Sequence, residues 1–243
     1  MDKLEQKGLL SDCSFIFTYG STTSDVKYIA NINIGIVTNE LKIHSMKKWK
    51  PVINYILRKG KSMPLFLTEK EFLNSIDAFP LEFMDMKQRH FKLYGRDMFD
   101  EIDIDPLTLR TELESELRAK LVRLREIYFA PHTRSLIRNI VFKTLSSLNL
   151  LLKAVIFVEY SSHKEKYINL FGTGSDKEAL TAISSLPAEK VFEFLSLHMN
   201  LALGHIKSAY DYKYSNIKFD MDDKTFLEII REWFLLVNYI DGV

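Results

Sequence analysis

The sequence predicts an α+β chain, with a mixed sheet and flanking helices over residues 1–104 and an all-α helical bundle over residues 105–243. Short runs rich in aromatic and β-branched residues recur through the first hundred positions. Near Asp105-Pro106 the apolar period changes from 2 to 3.6. Helix-opening signals then follow one another to the C-terminus with short connections.

Taken in order, Ser14–Tyr19 (SFIFTY) reads as a strand that stops at Gly20. Ile29–Val37 (IANINIGIV) alternates around Asn31 and Asn33, which a helix would not do. Asn39–Gly60 reads as a helix interrupted at Pro51. Pro64–Leu67 is a short strand. Thr68 and Glu71 have the spacing of a capping box that opens a helix running to Ile76. Pro80–Met86 (PLEFMDM) and His90–Tyr94 (HFKLY) read as further strands.

Pro106 suits the first turn of a helix. Leu109, Leu113, Leu117, Leu121 and Leu124 then form one stripe along it. Glu114 with Arg118 and Glu116 with Lys120 are favourable pairs on its surface. A second helix is expected over Thr133–Tyr160, apolar nearly all round in its later half and so central. A third follows Ser175, a fourth runs from Pro187 to about Tyr210, and a last one from Asp222 to Ile240. Five helices with short connections read as a bundle.

Composition narrows the function classes. Over 243 residues, 47% are apolar and 27% charged, and the formal net charge is +1. No global basic field argues for bulk nucleic-acid binding. Cys13 is the only cysteine, which excludes an intramolecular disulfide and a cysteine-rich zinc site. MDKLEQKGLLSDCS lacks the apolar core of a signal peptide, and Leu148–Val158 is short of the roughly 20 residues that cross a bilayer. A reducing cytoplasm, with no membrane partner, is the expected setting.

Two stretches together resemble a known family. Tyr19–Val37 (YGSTTSDVKYIANINIGIV) has a strand, a Gly-Ser turn, and a strand carrying two polar residues two apart. Leu65–Phe129 adds FPLEFMDM and ELRAKLVRLR. The combination resembles the nucleotidyltransferase superfamily, in particular a group of uncharacterised bacterial nucleotidyltransferase-like proteins with an appended helical domain. The resemblance covers roughly half of the chain. It implies a nucleotidyltransferase-like domain over 1–104, with Gly20 and Ser21 approaching a triphosphate through backbone N–H groups. It implies a magnesium site on the following strand, where two carboxylates spaced i and i+2 would share one face, and a third carboxylate on a neighbouring strand.

The match is partial. Asn31 and Asn33 stand where the paired carboxylates belong. Glu82 fits the third position and Asp85 rivals it; in a strand the two point to opposite faces. A neutral amide offers oxygen without charge, so magnesium would be held weakly or not at all. Arg118, Lys120, Arg123 and Arg125 are candidates for a phosphate contact, Arg118 foremost, although a solvated face with snorkelling stems explains them too. The expected activity is nucleotide or partner binding with weak or lost transfer. Two alternatives stay open: an active metal-dependent transferase moving a nucleoside monophosphate onto a small molecule, protein or RNA, and a helical scaffold or regulatory module.

Blander readings sit beside these. Asn31 and Asn33 also suit a solvated sheet face, and Glu82 and Asp85 suit structural ion pairs. Lys42, Lys47, Lys48, Lys50, Arg58, Lys59 and Lys61 surround Trp49 and Tyr55, which suggests nucleic acid, but a solvated helix face is the commoner cause. No pair among the six histidines is evident from spacing, and Asp220, Asp222 and Asp223 read as helix caps rather than a calcium loop.

Overall fold

A computed structural model describes residues 5, 8–20, 33–40, 46–59, 61–172, 174–215, 217 and 219–243. The chain divides into two compact units, Met1–Ile104 and Asp105–Val243.

The first unit is built on β1 (Cys13–Tyr19), β2 (Asn33–Thr38), β3 (Leu65–Thr68) and β4 (Phe91–Gly95). Their order in the sheet is β3-β2-β1-β4. β1 pairs antiparallel with β2 and β4, and β3 lies parallel to β2, so the sheet is mixed. Alternation along the strands gives it two apolar faces. On one, Ile16 and Ile36 pack with Trp49 and Val52 of helix α1 (Met46–Arg58). On the other, Phe15 and Phe17 stack at 4.7 Å. They meet Phe72 of α2 (Glu69–Asn74) and Phe99, and Phe83 of α3 (Pro80–Arg89) joins the same layer of rings. Phe17 lies directly opposite Gly35, and a Cβ at Gly35 would fall 2.2 Å from its Cζ. Only a glycine lets the ring lie there.

The Thr68 box forms as the sequence indicates. Glu71 N–H donates to the Thr68 hydroxyl, and Thr68 N–H donates to the Glu71 carboxylate at 2.8 Å. Pro51 sits inside α1. The clearest departure is Pro80–Met86, which is helix, not strand. Its apolar positions fit period 2 and period 3.6 equally over so short a run. Pro80 at the first turn, Glu82 near the N-terminus and Lys87 and Arg89 near the C-terminus decide for the helix.

The second unit is all helical: α4 (Pro106–Phe129), α5 (Arg134–Thr144), α6 (Leu148–Ser162), α7 (Lys164–Phe171), α8 (Asp176–Ser185), α9 (Ala188–Met199), α10 (Gly204–Ser215) and α11 (Asp223–Gly242). The leucine stripe of α4 is buried throughout. Trp233 of α11 donates its indole N–H to the Leu117 carbonyl at 3.0 Å. Asp105, Thr133 and Asp222 each accept a backbone N–H as side-chain caps.

The bundle has three more helices than the sequence reading gave: α7 was not read from sequence, and two long helices are broken. Between α5 and α6, Thr144 and Ser146 donate their hydroxyls to carbonyls four residues back, and a 3-10 turn follows at Leu145–Ser147. Between α9 and α10, Asn200 adopts the left-handed conformation (φ 53°) and ends the helix. The stretch Arg134–Ser162 is long and apolar enough, by length and composition, to cross a bilayer, which the shorter run read from sequence was not. Yet 61% of its most apolar window is buried inside the protein, with Leu151, Val155 and Val158 in the core.

Candidate functional site

The end of the β1–β2 pair is where the sequence placed its site. β1 finishes at Tyr19, and Gly20 follows with φ 117°, a conformation that disfavours any residue with a Cβ. β2 begins at Asn33, directly opposite Tyr19. Asn33 therefore shares a sheet face with Phe17 and Gly35 and stands at the rim of the ring layer. It is half-buried, and its Oδ1 accepts a hydrogen bond from the Ser62 hydroxyl at 2.5 Å. Burial also pushes the Tyr19 phenol up from its ordinary pKa. Ser21 and Asn31 lie outside the described residues.

The proposed third carboxylate is not on a strand. Glu82 and Asp85 both sit on α3, so the opposite-face argument for strand neighbours does not apply. Glu82 is exposed. Asp85 is half-buried and pairs with Arg89 one turn on, at 3.1 Å. α3 reaches the sheet through Phe83 and the ring layer, rather than as a strand beside β2.

Magnesium prefers hard, anionic oxygen ligands. The described donors at the strand end are the neutral Asn33 amide and the Ser62 hydroxyl, already hydrogen-bonded to each other. They do not fit a dication. Among the described residues, no group of three or more His, Cys, Asp or Glu side chains is arranged to hold a metal.

Arg118 is on the α4 surface in the second unit. Its guanidinium donates to Asp241 at 2.5 Å and to Glu114 at 3.1 Å. The hydrogen bond to Asp241, then that to Glu114, raises its pKa. Of the basic cluster, Lys42 falls outside the described residues. Trp49 is buried, its ring edge-on to Phe66 at 4.8 Å, and the Lys59 ammonium lies 5.6 Å from the Tyr55 ring.

Sequence spacing missed three polar clusters. His90 Nε2 lies 2.9 Å from Asp97 Oδ2, and Nδ1 lies 3.0 Å from the Lys87 carbonyl. This pair ties the end of α3 to the turn at Met98–Asp100, where Asp97 also accepts the Phe99 N–H as a side-chain cap. Glu159, almost fully buried on α6, accepts the Tyr167 hydroxyl at 2.7 Å and has Lys166 and His163 within 3.4 Å. Burial alone would raise its pKa. The Tyr167 and Tyr239 hydroxyls, His163 and Lys166 outweigh burial and lower it. The Tyr239 phenol moves up, through burial first and then the Glu159 anion. Glu232 accepts the backbone N–H groups of His205 and Ile206 at 2.9 and 2.8 Å, and lies 2.9 Å from His205 Nδ1. It caps α10 from 26 and 27 residues away, a distance no local motif reveals.

No family model matches the chain, and no curated protein matches it. Among solved structures it is similar to a spectinomycin adenyltransferase from Enterococcus faecialis, crystallised with ATP and spectinomycin. The identity is 11% and the TM-score 0.49, covering 99% of this chain and 97% of that one. At that identity and score the likeness carries neither a family nor an activity to this chain.

Proposed function

We propose that this chain is a nucleotidyltransferase-like protein that binds a nucleoside triphosphate or a partner and has weak or no transfer activity. The reading begins from the strand, Gly-Ser turn and strand order of Tyr19–Val37. The observation that supports the loss of activity is Asn33. At the start of β2, opposite the residue that precedes Gly20, stands a neutral amide whose oxygen already accepts from Ser62.

The physical reason is charge. Two magnesium ions bring four positive charges to a site that must also hold a polyphosphate. The nucleotide's own phosphates can carry one ion in. The second, which activates the attacking oxygen, needs protein carboxylates. Asn31 and Asn33 supply none, and Glu82 and Asp85 lie on a helix, Asp85 with Arg89 beside it.

The test is a thermal-shift titration of the full chain with nucleoside triphosphates, with and without magnesium or manganese. A ligand at roughly a hundred times its Kd adds about 2.7 kcal/mol to stability, a readable shift in Tm. The proposal expects a nucleotide-dependent shift that is nearly unchanged when the metal is removed with a chelator. A shift that vanishes with the metal counts against the degenerate site. No shift with any nucleotide counts against the nucleotide-binding form of the proposal.

A further inference from the structure

The surface of α1 and the edge of the sheet carry a feature that the strand-end site does not use. α1 has one broad apolar face. Trp49, Val52, Ile53 and Ile56 pack toward the sheet, while Met46 and Leu57 at its border are exposed. Met46, Trp49, Ile53 and Leu57, with Met63 and Phe66 at the β3 edge, line an open groove of about 540 Å³. Met46 is 53% exposed, Leu57 41% and Met63 64%. A volume of several hundred Å³ is in the range that holds an organic ligand or the anchor side chains of a peptide.

Charge says what kind of occupant suits it. Residues 46–68 hold six basic residues (Lys47, Lys48, Lys50, Arg58, Lys59 and Lys61) and no acidic one, in a chain whose net charge is only +1. Lys47 and Lys50 are themselves part of the groove wall. An apolar floor with a one-sign rim complements a ligand with an apolar stripe flanked by carboxylates. Met46 and Met63 in the groove lining can adjust to differently shaped side chains.

We infer that the α1–β3 groove docks an acidic amphipathic helix of a partner protein, with apolar anchors on Leu57, Met63 and Phe66 and carboxylates against Lys47 and Lys50. Nucleic acid suits the groove less well. Base stacking needs open ring faces, whereas Trp49 is 3% exposed and Lys59 lies near the Tyr55 ring. A lipid surface needs a convex apolar ridge, and this surface is concave. The 13 residues of α1 span about 20 Å, which sets the length of a matching helix at roughly four turns. The inference does not rest on nucleotide binding and can stand if that proposal fails.

The test is a displayed library of roughly 15-residue helices with randomised faces, selected against the full chain and counter-selected against a Leu57→Asp, Met63→Asp variant. Both substituted side chains are exposed, so the variant should fold, and circular dichroism and melting verify that. The inference expects recovered peptides with apolar residues at i, i+3 or i+4 and i+7, flanked by Asp or Glu. By fluorescence anisotropy they should bind the double variant about tenfold more weakly or worse, a loss of about 1.4 kcal/mol. Charge reversal (Lys47→Glu with Lys50→Glu) should weaken them similarly and flatten the salt dependence. Recovery of no variant-sensitive peptide overturns the inference, as does recovery of peptides without acidic enrichment. So does a single-stranded oligonucleotide or a phosphatidylserine vesicle that binds more tightly than any peptide and is lost in the Leu57→Asp, Met63→Asp variant.

Discussion

Glu232→Ala should be among the most damaging single substitutions in the helical unit, although it removes little apolar surface. Glu232 is 7% exposed, and its carboxylate meets the N–H groups of His205 and Ile206, the second and third residues of α10. Those are the donors that a helix N-terminus leaves without an intrahelical partner. A local cap is worth about 0.5–2 kcal/mol. Here the acceptor is charged and buried, and hydrogen bonds to charged groups contribute about 1.5–3 kcal/mol each. Water entering the vacated space recovers part of this, so a loss of about 3–4 kcal/mol is expected for two amides. In a chain of this size each kcal/mol moves Tm by about 2–4 °C, which puts the expected drop near 10 °C. Glu232→Gln keeps one carbonyl oxygen and should lose about half as much. Urea denaturation monitored by circular dichroism measures both. A Glu232→Ala variant within about 0.5 kcal/mol of the natural protein, the range of ordinary surface substitutions, would refute the long-range cap.

Three further outcomes follow from the geometry. Gly35→Ala should cost about 1–3 kcal/mol through overpacking, because its Cβ would fall 2.2 Å from Phe17 Cζ; a melt unchanged from the natural protein would mean the ring moves freely. Gly20→Ala should lose about 1–2 kcal/mol even without nucleotide, since φ is 117° there; nucleotide affinity in any Gly20 variant must therefore be read beside its stability in ligand-free buffer. Glu159 has a folded pKa below its ordinary value of 4.5. Its contribution is full above that value and is lost as pH falls through the lowered one. Glu159→Gln should thus be destabilising near neutral pH, with a deficit that shrinks as the medium becomes strongly acidic; a deficit constant across that range would contradict the assignment.

What the sequence revealed depends on the range of the interactions. The α4 stripe from Leu109 to Leu124 was legible because five leucines repeat one local period. The Thr68–Glu71 box was legible because both partners lie within four residues. The PLEFMDM segment misled because its apolar residues satisfy two periods at once, and the terminal signals at Pro80 and Arg89 outweighed alternation. The breaks at Thr144–Ser147 and Asn200 were hidden inside apolar runs that look continuous. Glu232 and Glu159 were out of reach for another reason. In sequence each is one more charge on a helix, and only the fold brings His205 and Ile206 to the first and Tyr167 and Tyr239 to the second. At the strand end, the asparagines were visible as departures from a motif, but the Ser62 hydroxyl on Asn33 comes from 29 residues away.

The most direct test of the central proposal is label transfer by the natural protein, incubated with labelled nucleoside triphosphates, magnesium or manganese and a cell extract as the source of acceptors. With neutral amides at Asn31 and Asn33, transfer should stay at the level of a protein-free control. The double variant Asn31→Asp, Asn33→Asp should gain metal-dependent nucleotide binding. Robust transfer by the natural protein that disappears in Glu82→Ala would contradict the account and make this chain an active transferase.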